Sequence, residues 1–218
     1  MNENVLPTQK IITKDEINDI VKTLNHYKKA VIFGKGPTLK FIDKNENENV
    51  FFVCINNTIN YIKKCDLLVC NDIESFDDIE LENLKNCKNI LIPYHLHVNC
   101  KFNEQITYKN VINKINNYFN GNLIIYNLRS SKRNYVKFIK LYSGCTSVHT
   151  GFEFIEIFLK NIKHVYFYGF AKKANERDIN LYTNTKKELE KKHYKNYNKY
   201  IKEINIINKK NSLKYSLH

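Results

Sequence analysis

Short apolar runs, too brief for independent helices, recur along this chain with amphipathic stretches between several of them. That alternation restricts the fold more than any other feature. The runs lie at residues 30–33, 50–55, 67–70, 90–92, 123–126, 165–168 and 204–207, and the amphipathic stretches are clearest at 111–119 and 152–159. A first helix over residues 14–27 is marked by the pair Thr13 and Glu16, spaced as a capping box, and by Ile17, Ile20, Val21 and Leu24 at helical spacing. Strands that alternate with helices pair in parallel, because parallel neighbours need a crossover between them. The pattern predicts an α/β fold: a Rossmann-like open, mostly parallel sheet of six to seven strands with helices on both faces. Ligands of such sheets bind beyond the C-terminal ends of the strands, so the residues after each run are where chemistry is to be sought.

Those residues are polar in a consistent way. The first run ends in Gly34-Lys35-Gly36-Pro37-Thr38. Two glycines leave room for a ligand to approach the backbone, Pro37 suits the first position of a helix, and Thr38 adds a hydroxyl, so the turn can present N–H groups to a phosphate. A plain strand-to-helix turn has the same appearance, since the third glycine of the dinucleotide fingerprint and the Gly-Lys-Ser/Thr of a P-loop are both missing. The second run leads into Asn56-Asn57-Thr58 and the third into Asn71-Asp72. Asparagine amides donate and accept, which suits a base edge or a ribose, although asparagine is abundant here and common in turns. Thr146-Ser147-Val148-His149-Thr150-Gly151 opens a helix with hydroxyls at its N-terminus, either as an anion-binding surface or as a simple cap. Beyond the run at 165–168 come Gly169-Phe170-Ala171, a polar segment at 172–184 long enough for a lid, and then His193-Tyr194-Lys195-Asn196.

Bulk properties narrow the classes. A chain of 218 residues with 43% hydrophobic and 13% aromatic content is read as one globular domain over residues 1–218. Six cysteines include no C-x-x-C pair, and Cys54 and Cys70 lie in apolar runs, so they are expected to be reduced and mostly in the core. No apolar leader opens the sequence and no window reaches the ~18 apolar residues of a membrane span, which places the expected location in the cytoplasm. The net charge of +13, with lysines recurring through the last third, favours anionic partners: phosphorylated substrates, an acidic membrane face at its periphery, or nucleic acid. A solvated lysine-rich helix accounts for the same run. His95 and His97 form a pair with no third ligand nearby, and no metal site is assigned.

Taken in order, these segments resemble the bacterial sialyltransferases that cap lipooligosaccharides, over about residues 30–207. The resemblance rests on Gly34-Lys35-Gly36-Pro37-Thr38-Leu39-Lys40, Cys54-Ile55-Asn56, Asn71, His149-Thr150-Gly151, Gly169-Phe170-Ala171 and His193-Tyr194-Lys195-Asn196. It implies metal-independent transfer of a sialic-acid-like sugar from a CMP-linked donor to a hydroxyl of a glycan or other acceptor, with no cofactor beyond the donor itself. It assigns Gly34, Lys35, Gly36, Pro37, Thr38, Asn56, Asn71, Thr150 and Gly151 to the nucleotide, His193 to the general base and Tyr182 to the departing phosphate, with Tyr194 and Tyr197 as weaker matches. A histidine that titrates near ~6.5 can take a proton at neutral pH, and a tyrosine can stabilise a leaving phosphate. Three positions depart from the family pattern: Lys35 replaces an asparagine, Ser147 an arginine and Ala171 an acidic residue. A homo-oligomer is a further candidate assembly.

Two other readings stand beside it. The glycine turn and asparagine strand ends also resemble diphosphokinases of the 6-hydroxymethylpterin type, which would use ATP and Mg²⁺, with Asp72, Glu74, Asp77 and Asp78 as candidate carboxylates. Alternatively, the fold could bind nucleotide or nucleic acid without catalysis, through non-specific, salt-sensitive contacts.

Overall fold

The computed structural model describes residues 10–34, 49–71, 73–94, 108–128, 138–141, 146–169 and 214–217. In chain order the elements are β1 (Lys10–Ile12), α1 (Ile17–Leu24), β2 (Lys29–Phe33), β3 (Val50–Ile55), β4 (Leu67–Val69), β5 (Asn89–Pro93), α2 (Tyr108–Ile115), β6 (Asn122–Leu128), β7 (Ile139–Leu141), α3 (Ser147–Phe158), β8 (His164–Tyr168) and β9 (Lys214–Leu217). Short 3-10 helices at Asn56–Asn60, Ile73–Asp78 and Leu81–Asn86 complete the connections.

Among the described residues, the nine strands join one sheet, in the order β1-β6-β5-β4-β3-β2-β8-β9 with β7 also on β6, and every pairing is parallel. The fold is the open α/β arrangement expected, with more strands than the sequence suggested. The additions β1, β7 and β9 are short edge pieces. The first two lie end to end along one side of β6: β1 pairs with residues 122–124 and β7 with residues 126–128. From β2 the chain steps outward through β3, β4, β5 and β6, then returns to β8 and β9 on the other side of β2. The order therefore reverses between β2 and β8, the place where such sheets open a crevice.

Both faces are covered, which explains why β3 reads as an unbroken apolar run. Its Phe51, Val53 and Ile55 pack with α1 and α3, through Ile17, Ile20, Phe152 and Ile155. Phe52 and Cys54 point the other way, into a second core built with α2 and the 3-10 helices through Val111, Ile115, Ile59, Phe76 and Leu84. The first helix is shorter at both ends than residues 14–27. Glu16 accepts from the Thr13 N–H at 3.0 Å and from its hydroxyl at 2.8 Å, so one half of the expected capping box is formed. The expected strand at 204–207 lies outside the described residues.

A polar cluster ties the N-terminal ends of the strands together. Asp66, wholly buried, accepts from the Tyr27 hydroxyl (2.8 Å) and the Phe52 N–H (2.9 Å), and Lys88 Nζ lies 2.8 Å from its Oδ1. The Asn89 amide donates to the Asp66 carbonyl, and its Oδ1 accepts from Asn122. Burial pushes the Tyr27 hydroxyl above its ordinary pKa, and Asp66 adds to the rise. For Lys88 burial acts downward, but its hydrogen bonds to Asp66 and Tyr27 more than offset it and the ammonium titrates above its usual value. Cys54, Cys65, Cys70 and Cys87 are free, buried thiols, as expected of core residues. Cys65 and Cys87 approach to 3.5 Å between sulfurs, and burial pushes both thiols well up.

Candidate functional site at the C-terminal edge of the sheet

At the opposite end of the strands a second polar group gathers residues far apart in sequence. The turn after β3 is sharp. Thr58 Oγ1 accepts from the Ile55 N–H at 2.8 Å, and Asn56 between them takes φ 53°, the left-handed region that asparagine tolerates better than most residues. The neighbouring strand β4 runs into Asn71, 4% exposed. Across from both stands the first turn of α3, capped by Thr146, whose Oγ1 accepts from the His149 N–H and lies 3.0 Å from His149 Nδ1.

Three hydrogen bonds fasten Asn71 in place. Its backbone N–H donates to Ser147 Oγ (2.9 Å), its Nδ2 to Thr150 Oγ1 (3.0 Å), and its Oδ1 accepts from the Tyr126 hydroxyl (2.8 Å). Ser147 Oγ then donates to Asn56 Oδ1 at 3.1 Å, and Thr150 Oγ1 to the Thr146 carbonyl at 3.3 Å. The cluster thus joins β3, β4, β6 and α3. Asn56 is only partly buried, and its amide nitrogen donates to no group of the described residues, so two N–H donors remain at the strand ends. Close by in sequence, Asn57 Oδ1 is buried with no hydrogen-bond partner among the described residues.

Gly151 lets α3 lie close on the sheet. A Cβ there would stand 3.2 Å from Val53 Cγ1 and 3.4 Å from Val69 Cγ2. At the reversal of strand order, the Gly34 N–H donates to the Tyr168 carbonyl at 2.8 Å, and Gly169 follows with φ 79°, where a side chain would be strained.

Of the residues assigned to a nucleotide, Asn56, Asn71, Thr150 and Gly151 therefore stand together, and Gly34 ends the strand next to β3. Thr150 is fully buried and Asn71 nearly so, with both side chains held by protein partners. Lys35, Gly36, Pro37 and Thr38 lie outside the described residues, as do Tyr182, His193, Tyr194, Tyr197, the segment 172–184 and the pair His95 and His97. Asp72 and the side chain of Glu74 also lie outside them. Asp77 is ion-paired with Lys114, and the Asp78 carbonyl accepts from Asn60. Among the described residues, no three His, Cys, Asp or Glu side chains are placed to hold a metal ion, and no helix is long and apolar enough to cross a membrane.

Sequence reasoning missed Tyr126 and the use made of Ser147. A tyrosine closing Leu-Ile-Ile-Tyr reads as core, and its ring is core. The available signal was its place at the same C-terminal end of the sheet as the asparagines.

Fold and site together define a class: an open parallel α/β sheet with a polar, hydrogen-bonded group beyond the C-terminal ends of its central strands. Compared with known protein families, with curated proteins and with solved structures, the chain matches none.

Proposed function

We propose that this protein is a glycosyltransferase of the sialyltransferase-like kind, which binds a CMP-linked sugar at the C-terminal edge of the sheet. One observation carries the reading. Asn56, Asn71 and Thr150, from three separate stretches of sequence, converge on one hydrogen-bonded group beside the reversal of strand order, with Gly151 packed close on the sheet next to it. In this reading Asn56 contacts the nucleotide, Asn71, Thr150 and Gly151 build the wall that carries it, and the turn from Gly34 to Thr38 receives the phosphate. The acceptor oxygen forms its bond to the sugar's anomeric carbon as the bond to the CMP oxygen breaks. His193 takes the acceptor proton, and Tyr182 steadies the departing phosphate, so no metal is needed.

A thermal-shift and calorimetry panel of CMP, UDP, GDP, ATP and ATP with Mg²⁺ tests the reading. A ligand at a hundredfold excess over its dissociation constant adds ~2.7 kcal/mol of stability if it binds only the native state. Stabilisation by CMP without metal is the expected result. Stabilisation only by ATP with Mg²⁺ would replace this reading with the diphosphokinase one, and no stabilisation by any of them would leave it without a donor. With a CMP-sugar donor, His193→Ala should fold normally and lose turnover; unchanged turnover would remove His193 from the mechanism.

A further inference from the structure

Resting on that reading, we propose that Tyr126 is a positioning residue for the nucleotide: its hydroxyl holds Asn71, whose backbone N–H in turn orders Ser147 and, through it, Asn56. Tyr126 is fully buried on β6, separated from β4 by β5. Its proton goes to Asn71 Oδ1, which turns the Asn71 amide nitrogen toward Thr150. Thr150 Oγ1 gives its own proton to the Thr146 carbonyl, so it accepts from the Asn71 nitrogen and leaves Asn71 Oδ1 to accept from Tyr126. Ser147 Oγ must accept from the Asn71 backbone N–H, a group that can only donate, so its own proton is directed to Asn56 Oδ1.

The consequence at Asn56 is a defined polarity. With its oxygen occupied by Ser147, Asn56 offers only N–H donors, and the group it meets on the ligand must accept: a phosphate oxygen, a ribose oxygen or a base carbonyl. The left-handed backbone at Asn56 holds this side chain at the strand end. Tyr126 itself touches no ligand and acts through Asn71 and Ser147.

The experiment compares the full chain with its Tyr126→Phe, Ser147→Ala and Asn56→Asp variants by CMP calorimetry and by NMR of side-chain amides. The Asn56 amide pair is identified as the one lost in Asn56→Asp. Tyr126→Phe keeps the ring and removes one hydroxyl; it should shift the Asn56 amide signals and weaken CMP binding by roughly tenfold, about 1.4 kcal/mol. Ser147→Ala, which cuts the same path nearer its end, should reproduce both effects, and Asn56→Asp, which turns donors into an acceptor, should abolish binding. If the wild type binds CMP and Tyr126→Phe binds it equally well, the positioning role is overturned while the functional reading stands. If the wild type does not bind CMP, that reading fails, and the amide signals decide: shifted in Tyr126→Phe they support the role, and unshifted they overturn it.

Discussion

Replacing Asp66 measures how much one buried carboxylate holds the sheet together. In Asp66→Ala the Phe52 N–H and the Tyr27 hydroxyl lose their acceptor where water does not reach, Tyr27 being 1% exposed. Each orphaned donor costs about 1–3 kcal/mol. The Lys88 side chain is 58% exposed and can turn to solvent, so its lost ion pair adds only about 0–1 kcal/mol. The expected destabilisation is therefore about 4 kcal/mol, a large share of the ~5–15 kcal/mol typical of a folded domain. Asp66→Asn keeps an oxygen for the Phe52 N–H, and the tyrosine oxygen can accept from the new amide, so its cost should be about 1–2 kcal/mol. Urea unfolding followed by circular dichroism at neutral pH gives both values. Asp66→Ala within ~1 kcal/mol of wild type would refute the view that these bonds anchor the sheet. If Asp66→Asn proves as costly as Asp66→Ala, the charge on Lys88 outweighs the hydrogen bonds. Because the cluster lies at the end of the strands remote from Asn56, neither variant should change CMP affinity while folded.

Two glycines should respond in opposite ways. A Cβ at Gly121 would stand 2.2 Å from the Lys88 carbonyl oxygen and 2.6 Å from the Phe119 ring, so Gly121→Ala should cost about 3 kcal/mol in urea unfolding. At Gly151 the neighbours are methyl tips at 3.2 and 3.4 Å, and alanine's helix propensity offsets the crowding, so Gly151→Ala should stay within ~1 kcal/mol of wild type. Tyr27 and Lys88 both titrate higher in the folded protein than in the unfolded chain, whose values are about 10 and 10.4. Their contribution is intact below the unfolded values and is lost as pH rises through the folded ones, so melting temperature should begin to fall above about pH 10, less so in Tyr27→Phe. Cys65 and Cys87, buried and with pKa values pushed well up, should resist iodoacetamide near neutral pH and be labelled only on unfolding, as mass spectrometry of the folded and urea-treated protein would show.

The central strands were legible because both of their faces are covered. Residues 50–55 form a strand with those same bounds, and β4, β5, β6 and β8 lie within a residue or two of their apolar runs. The edge pieces were not: β7 is three residues alternating buried, exposed and buried, and β9 is a polar Lys-Tyr-Ser-Leu. Helix α3 starts at Ser147, where its threonine cap was visible, although its amphipathic pattern emerges only from Phe152. In the site, Asn56 and Asn71 could be found because they close apolar runs. Which of them keeps free donors could not, since that depends on Ser147 and Tyr126, brought alongside by the order of strands.

The two short strands that share one side of β6 also bear on how the chain reaches this structure. Ile11 pairs with Leu123, so β1 must wait until the central strands and β6 are laid down. The entropy of closing so long a loop grows with the logarithm of its length and is offset only once the pairing forms. Docking of β1 should therefore come late in folding, in a sheet whose parallel, long-range pairings already predispose it to slow kinetics. Until it docks, the border of β6 at residues 122–124 offers unpaired N–H and C=O groups to any other extended chain, and that interval is when the folding protein is most exposed to intermolecular association.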